Sequence, residues 1–103
     1  MSLHYASGDW TVKAGKEEEF IRAWAEFGEW TKATSPGLEA MVLIRGIEEP
    51  RHFVSYSIWD EPASRSAWKG LEEFQEHFAR CVALCDDFHG GDYVLTAAPA
   101  TVF

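Results

Sequence analysis

Residues 38–45 read LEAMVLIR, and this stretch carries apolar side chains on both sides of an extended backbone. Successive residues of a strand point to opposite faces of a sheet. The even positions place four apolar residues on one face: Leu38, Ala40, Val42 and Ile44. The odd positions place Met41 and Leu43 on the other face. A strand with one wet face would alternate apolar and polar residues, so this strand is expected to be covered on both faces.

The next extended stretch, Arg51 to Trp59, repeats this behaviour. Its apolar side chains again occupy both faces, with Val54, Tyr56 and Ile58 on one and Phe53 and Trp59 on the other. The segment Gly46 to Pro50 joins the two stretches at the length of a hairpin loop. The sequence therefore predicts two neighbouring antiparallel strands, both apolar on both faces.

The part of the chain before this hairpin predicts one strand and one helix. Residues Leu3 to Lys13 have strand character. Between Lys16 and Lys32, core-type residues recur every three or four positions: Phe20, Trp24, Phe27 and Thr31. This spacing places side chains on one side of a helix, and the carboxylates of residues 17–19 lie in its first turn, where they favourably meet the helix dipole.

The part of the chain after the hairpin predicts a second helix and a fourth strand. Asp60-Glu61-Pro62 is typical of a helix start, with an acidic capping residue followed by proline. Helical spacing then continues to Phe88 with a break near Gly70, so that Leu71 to Phe88 is expected to be helical. Gly90-Gly91 is expected to close the helix, and Tyr93 to Ala97 to form the last strand.

The order β-α-β-β-α-β predicts an α+β fold of the ferredoxin-like type, a four-stranded antiparallel sheet with the helices on one face. Right-handed crossovers place both helices on the same side of the sheet. The helices can cover only one of two apolar faces. The second face is expected to pack against a second copy of the sheet, so the sequence predicts a homodimer formed through the open sheet face.

Composition and charge restrict the class of protein and its partners. The chain of 103 residues is expected to form one domain, residues 1–103. Its formal net charge of −8, without a Lys/Arg cluster, argues against nucleic-acid binding and against an anionic membrane surface. No stretch approaches the roughly 18 apolar residues of a membrane helix, and the N-terminus does not resemble a signal peptide. We therefore expect a cytoplasmic protein.

Five tryptophans in so short a chain allow two interpretations. Aromatic side chains fill a small core efficiently, because each buries roughly 150–250 Å². Alternatively, they line a flat apolar cleft between helices and sheet that holds a planar ligand. Ala6 and Gly8 favour the second interpretation, because small residues on a central strand leave space beneath the helices. The expected lining comprises Trp24, Trp68, Phe74 and Phe78, with Gly8 beneath them.

The sequence also contains a possible metal-ligand stripe. His77, Cys81, Cys85 and His89 follow at intervals of four residues within the predicted second helix. Neighbouring pairs could hold zinc, but all four cannot reach one ion, because the outer two would lie about 18 Å apart. The alternative is that the cysteines are reduced and act as small core residues. We expect no metal site.

Several short motifs make the chain resemble the antibiotic biosynthesis monooxygenase (ABM) family, whose members are small dimeric α+β-barrel proteins. The resemblance extends from about Tyr5 to Ala97 and rests on an ordered set of motifs: Lys13-Ala14-Gly15-Lys16 leading to Phe20, Pro36-Gly37-Leu38, Leu43-Ile44-Arg45, Arg51-His52-Phe53, Trp59-Asp60-Glu61, Ala67-Trp68 and Phe74. The resemblance implies the same ferredoxin-like fold and the same pairing of sheets.

The resemblance implies an oxidoreductase. One branch of the family oxidises polyketide-like phenols and anthrones to quinones without metal or flavin, and this is the activity we expect here. Those enzymes use a hydrogen-bonding Asn, whereas this chain contains no Asn. The candidates for the missing polar group are Tyr56, Arg45 and His77.

Two alternatives to this activity remain. Family members that degrade heme share the tryptophan at Trp68, but they also use an Asn where this chain has Gly8 and a His where it has Phe78. Heme binding or heme degradation is therefore one alternative. The other is a non-catalytic dimeric module that binds a small apolar molecule.

Overall fold

The two strands predicted from residues 38–45 and 51–59 form one antiparallel hairpin in the computed structural model, which describes residues 3–100. Residues 1, 2 and 101–103 of the expected single domain lie outside the described residues. The elements follow in the order β1 (His4–Val12), α1 (Glu17–Thr34), β2 (Leu38–Arg45), β3 (His52–Trp59), α2 (Pro62–Lys69), α3 (Glu72–Val82) and β4 (Cys85–Val94).

The four strands form one antiparallel sheet in the order β2-β3-β1-β4. The first strand therefore lies inside the sheet, between β3 and β4. In the register of this sheet, Gly8 lies opposite Ser55 on one side and Gly90 on the other. The predicted ferredoxin-like α+β fold is confirmed, with the second helix divided into α2 and α3.

The helices cover one face of the sheet and enclose the core. The buried apolar residues form one cluster, which draws on α1, on the helix-facing side of β1 and β3, and on α2 and α3: Trp10, Val12, Phe20, Ala23, Trp24, Phe27, Phe53, Trp59, Trp68, Phe74 and Cys81. Met41 and Leu43 of β2 pack against this cluster from the sheet. From Ala40 onwards, the odd-numbered residues of β2 are therefore the helix-facing ones. The register shifts between Leu38 and Ala40, so Leu38, which was predicted on the other face, pairs with Trp59 and packs against the core cluster.

The C-terminal third differs from the prediction in two places. The expected break near Gly70 is present, but the helix ends at Val82 and not at Phe88, and the last strand is Cys85–Val94 and not Tyr93–Ala97. Pairing with residues 85–94 satisfies backbone groups on the outer side of β1, which a longer helix would leave as an unpaired sheet edge. Phe88 also gains a contact with Trp10, with ring centroids 4.3 Å apart.

The smaller differences lie at element ends. The first helix runs from Glu17 to Thr34 instead of Lys16 to Lys32, and the first strand is His4–Val12 instead of Leu3 to Lys13. The third strand begins at His52 instead of Arg51. Such shifts are typical of frayed ends and leave the fold unchanged.

The opposite face of the sheet carries a mixture of aromatic, aliphatic and polar side chains. Its aliphatic part lies on the hairpin, where Val42 is partly buried and Ile44 is 54% exposed. The rings of Tyr5 and Tyr56 meet edge to face on this side, with centroids 6.4 Å apart. Among the described residues, no helix is long and apolar enough to cross a membrane.

Candidate active site

A cavity of about 380 Å³ lies between the helices and the sheet. Its walls and floor come from every strand and all three helices, and aromatic side chains dominate them: Trp10, Trp24, Phe27, Trp68, Phe74, Phe78 and Phe88. This volume is within the usual range for small-molecule sites, which are mostly apolar with a few placed polar groups. The cavity can therefore hold a flat aromatic molecule.

Small residues on β1 and on the neighbouring edge strand β4 create the space on the floor. Ala6 and Gly8 of β1 and Gly90 of β4 line the cavity. A Cβ atom at Gly8 would lie 2.6 Å from Trp10 Nε1 and 2.8 Å from Ser55 Oγ. The absence of a side chain at Gly8 is thus what allows the Trp10 indole to lie back along its own strand.

Trp68 forms the centre of the aromatic wall. Its ring lies 4.9 Å from Trp59 and 4.7 Å from Phe74, in tilted and edge-to-face arrangements. Its Nε1 donates a hydrogen bond of 3.0 Å to Thr31 Oγ1 on α1, a residue with no exposed surface. The Thr31 hydroxyl donates in turn to Phe27 O over 2.8 Å. These bonds fix the orientation of the indole plane between α1 and α2.

Two buried serines supply polar groups on the floor of the cavity. Ser55 and Ser57 of β3 both line it, with 8% and 4% of their surfaces exposed. Trp10 Nε1 donates to Ser55 Oγ over 2.9 Å, and Trp59 Nε1 donates to Ser57 Oγ over 2.9 Å. Each hydroxyl is therefore held in place by an indole N–H.

Charged side chains lie at the mouth. Lys69, Gln75 and Asp92 contribute to the lining, and Asp92 forms an ion pair with Arg65. Partial burial lowers the pKa of the Lys69 amine, the Arg65 guanidinium lowers it further, and Asp92 acts in the opposite direction. Lys69 and Asp92 are thus the charged side chains of the lining, and the aromatic walls carry none.

The five residues expected to bind substrate all line the cavity: Gly8, Trp24, Trp68, Phe74 and Phe78. The structure separates the three polar candidates from one another. Tyr56 contributes to the lining, but its ring lies on the opposite face of the sheet, against Tyr5. Arg45 lies outside the cavity, where its Nε donates to Pro50 O and its guanidinium lies over the Phe53 ring.

His77 also lies outside the cavity lining. Its ring stacks on Phe27 at 5.7 Å and on Trp30 at 5.0 Å, so it packs behind the aromatic wall between α1 and α3. Its Nδ1 is buried and has no hydrogen-bond partner among residues 3–100. It therefore supports Phe27 from behind and does not face a ligand.

Sequence reasoning missed the polar lining residues. Ser55 and Ser57 lie between Phe53 and Trp59 at every second position of the strand. The period of two residues therefore places all four side chains on the same face. That signal was available, because Phe53 and Trp59 were already predicted to share one face of the strand. Asp92 could not be found in the same way, because residue 92 was not assigned to a strand.

The prediction that the four possible metal ligands form one stripe along a helix was wrong. His77 and Cys81 lie on α3, whereas Cys85 and His89 lie on β4, so the four residues do not share one helix face. Within residues 3–100, no group of three or more His, Cys, Asp or Glu side chains is arranged to hold a metal ion. Both cysteines are free thiols.

We expect these thiols to make the protein less stable at alkaline pH. Burial, as the main cause, raises the pKa of Cys81 from 9.0 to about 12 and that of Cys85 to about 11. Because the unfolded thiols ionise first, the free energy of unfolding should fall as the pH rises from 9.0 towards 12. Denaturant titrations at about pH 8 and about pH 11 measure this fall. The variant Cys81→Ala should show a smaller fall in the free energy of unfolding. A fall equal to that of the wild type would contradict a contribution from the Cys81 thiol.

The cavity does not fit a histidine-ligated heme. Of the positions that heme-degrading relatives use, Gly8 and Phe78 carry no iron-binding group. Phe78 packs its ring against Phe74 and Phe88, with centroids 5.7 Å and 5.1 Å away. Among the described residues, those that line the cavity include no histidine.

Comparisons with known proteins agree with this arrangement. A family model described as "Antibiotic biosynthesis monooxygenase" matches residues 4–80, from β1 into α3. No curated protein sequence matches the chain.

Two solved structures illustrate the likeness of fold. One is a variant of SnoaB, a cofactor-independent oxygenase from Streptomyces nogalater, with a TM-score of 0.78 and 19% identity over 96% of this chain and 95% of that one. The other is a conserved protein from Methanosarcina mazei Go1, with a TM-score of 0.81 and 19% identity over 90% of this chain and 92% of that one.

Proposed function

The chain belongs to the antibiotic biosynthesis monooxygenase family, and we propose that it oxidises a planar aromatic substrate without metal or flavin. The observation that carries this proposal is the aromatic-walled cavity of about 380 Å³ between helices and sheet. Its shape and lining suit a flat, oxygenated ring system. The description of SnoaB as a cofactor-independent oxygenase supports the same chemistry, since that protein shares the fold.

The chemistry can be written for anthrone as a representative substrate. A base removes a proton from the ring methylene carbon, and the resulting anion gives electrons to O₂. Carbon–oxygen bond formation and loss of water then yield anthraquinone, so that one anthrone and one O₂ give one anthraquinone and one water. The protein supplies a dry, oriented site and a proton acceptor, for which Lys69 and Asp92 stand at the mouth.

Oxygen uptake by purified protein tests the activity. The protein is treated with chelator, checked for absence of flavin, and mixed in air with a panel of anthrones and hydroquinones. We expect saturable oxygen consumption with at least one member of the panel. Ligand-dependent thermal stabilisation without oxygen consumption would instead identify a non-catalytic binding module.

We also propose that the chain is a homodimer paired through the open sheet face. Val42, Ile44 and Val54 lie on this face, away from the helices, and Ile44 is 54% exposed. An apolar face of this kind is stabilised by a second apolar surface, and a two-fold axis allows the same patch to cover itself.

The variant Val42→Glu tests the dimer. We expect wild-type protein to show twice the chain mass of 11.6 kDa by light scattering at micromolar concentration. Val42→Glu should show one chain mass, because it would bury an unpaired carboxylate in the interface. The matched control is Ile47→Glu, since Ile47 is 98% exposed and lies in the loop between β2 and β3. A monomeric wild type, or a dimeric Val42→Glu, would contradict this assembly.

A further inference from the structure

Ser55 and Ser57 place two buried hydroxyl groups on the floor of the cavity. Ser55 and Ser57 stand two residues apart on β3, so their side chains point to the same face about 6.6 Å apart along the strand. Both are more than nine-tenths buried, and both line the cavity. A buried hydroxyl is stabilised only when its hydrogen-bonding capacity is used.

The indoles use only the accepting side of each hydroxyl. An indole N–H is a donor without acceptor capacity, so Ser55 Oγ accepts from Trp10 and Ser57 Oγ accepts from Trp59. Each hydroxyl keeps one proton to donate. Among residues 3–100, neither hydroxyl donates that proton to a protein acceptor. Both serines therefore present a donor whose natural acceptor is a molecule in the cavity.

We propose that Ser55 and Ser57 select a ligand with oxygen acceptors on opposite sides of one aromatic ring, as in a quinone or its quinol. The inference rests on the proposed function only in taking the ligand to be planar and aromatic. The spacing of the donors along β3 suits two oxygens that lie across a ring better than one oxygen atom.

The surroundings make this selection effective. Apart from the polar residues at the mouth, the rest of the lining is mainly aromatic, so few protein groups compete with a ligand for these hydroxyls. A ring without oxygen atoms would displace water from both hydroxyls and leave their protons unpaired. A site built to hydrogen-bond a ligand rejects the analogue that lacks the partner atom more strongly than an apolar site does.

A ligand series with no, one and two ring oxygens tests the proposal: anthracene, anthrone and anthraquinone. Binding to wild-type protein is measured by equilibrium dialysis without oxygen, so that no turnover is needed. We expect affinity to rise with each oxygen, by about three- to tenfold per hydrogen bond. An affinity independent of the number of ring oxygens, including no measurable binding, would overturn the proposal.

The serine variants separate ligand selection from a structural role. Ser57→Ala should weaken anthraquinone binding about three- to tenfold and leave anthracene binding unchanged. Ser57→Thr keeps the hydroxyl and should keep the wild-type order. Equal weakening of all three ligands by Ser57→Ala would show a structural role only and overturn the proposal. The protein could consume oxygen with an aromatic substrate although ligand affinity did not depend on the number of ring oxygens. That result would support the proposed oxidation and contradict the role proposed for the serines.

Discussion

Gly8→Ala is expected to lower the free energy of unfolding by about 1–3 kcal/mol, the usual cost of overpacking a filled interior. The new Cβ would lie 2.6 Å from Trp10 Nε1 and 2.8 Å from Ser55 Oγ. Either the indole moves or the strands separate, and both changes break the hydrogen bond between Trp10 and Ser55. Ligand affinity should therefore fall together with stability.

Denaturant unfolding of Gly8→Ala measures this effect, and Gly28→Ala is the matched control. A Cβ at Gly28 would have its nearest neighbour at 3.8 Å, and the residue lies within α1. Alanine favours a helix interior by roughly 0.5–1 kcal/mol over glycine, so the control should be neutral or more stable than wild type. A Gly8→Ala protein as stable as wild type would contradict the packing described for Trp10.

The close approach of Trp10 and Ser55 to residue 8 also leaves no room for the Asn that heme-degrading relatives carry at this position. Gly8→Asn would place a larger side chain where the Trp10 indole and Ser55 hydroxyl now lie. Restoring the family residue alone is expected to destabilise this chain.

Trp68→Ala should lower the free energy of unfolding by about 3–5 kcal/mol and abolish aromatic ligand binding. Trp68 is 6% exposed and packs against Trp59, Phe27 and Phe74. Its removal would leave Thr31 without the indole N–H and open the central wall of the cavity. Both losses follow from one side chain, because it belongs to the core and to the lining.

Trp30→Ala provides the control for Trp68→Ala. Trp30 also stacks on Phe27, with ring centroids 6.2 Å apart, but it lies outside the cavity lining. Thermal unfolding and dialysis with anthraquinone should show stability loss in both variants and loss of binding only in Trp68→Ala. Equal loss of binding in Trp30→Ala would mean that binding is lost through the loss of stability and not through the loss of a cavity wall.

The hairpin of the fold was predictable because its signal is local. Alternation in residues 38–45 and 53–59 assigned two faces to each strand. The structure confirms the antiparallel pairing but places Leu38 on the helix-facing side, because a register shift follows it. The break near Gly70 is also confirmed. The end of the second helix was not predictable from spacing. Phe78, Cys81 and Phe88 are spaced as on a helix, yet pairing of β4 with β1 places Phe88 on a strand.

The aromatic walls of the site and its floor of small residues were predictable, whereas its polar lining groups were not. The aromatic residues named from the sequence line the cavity, since helical periodicity and small residues on β1 both report local geometry. The charged mouth combines Lys69 of α2 with Asp92 of β4, which lie 23 positions apart in the chain. They meet at the same opening only through the tertiary arrangement of α2 over the sheet together with the pairing of β4 with β1.

The proposed oxidation of an aromatic substrate by O₂ without a bound cofactor is tested most directly with anthrone. Chelator-treated, flavin-free protein converts it under O₂ of a heavy isotope, and the product is analysed by mass spectrometry. We predict that one labelled oxygen atom enters each anthraquinone, at a rate above that in buffer and greatly reduced in Trp68→Ala. A conversion no faster than in buffer, or a product without labelled oxygen, would contradict the account.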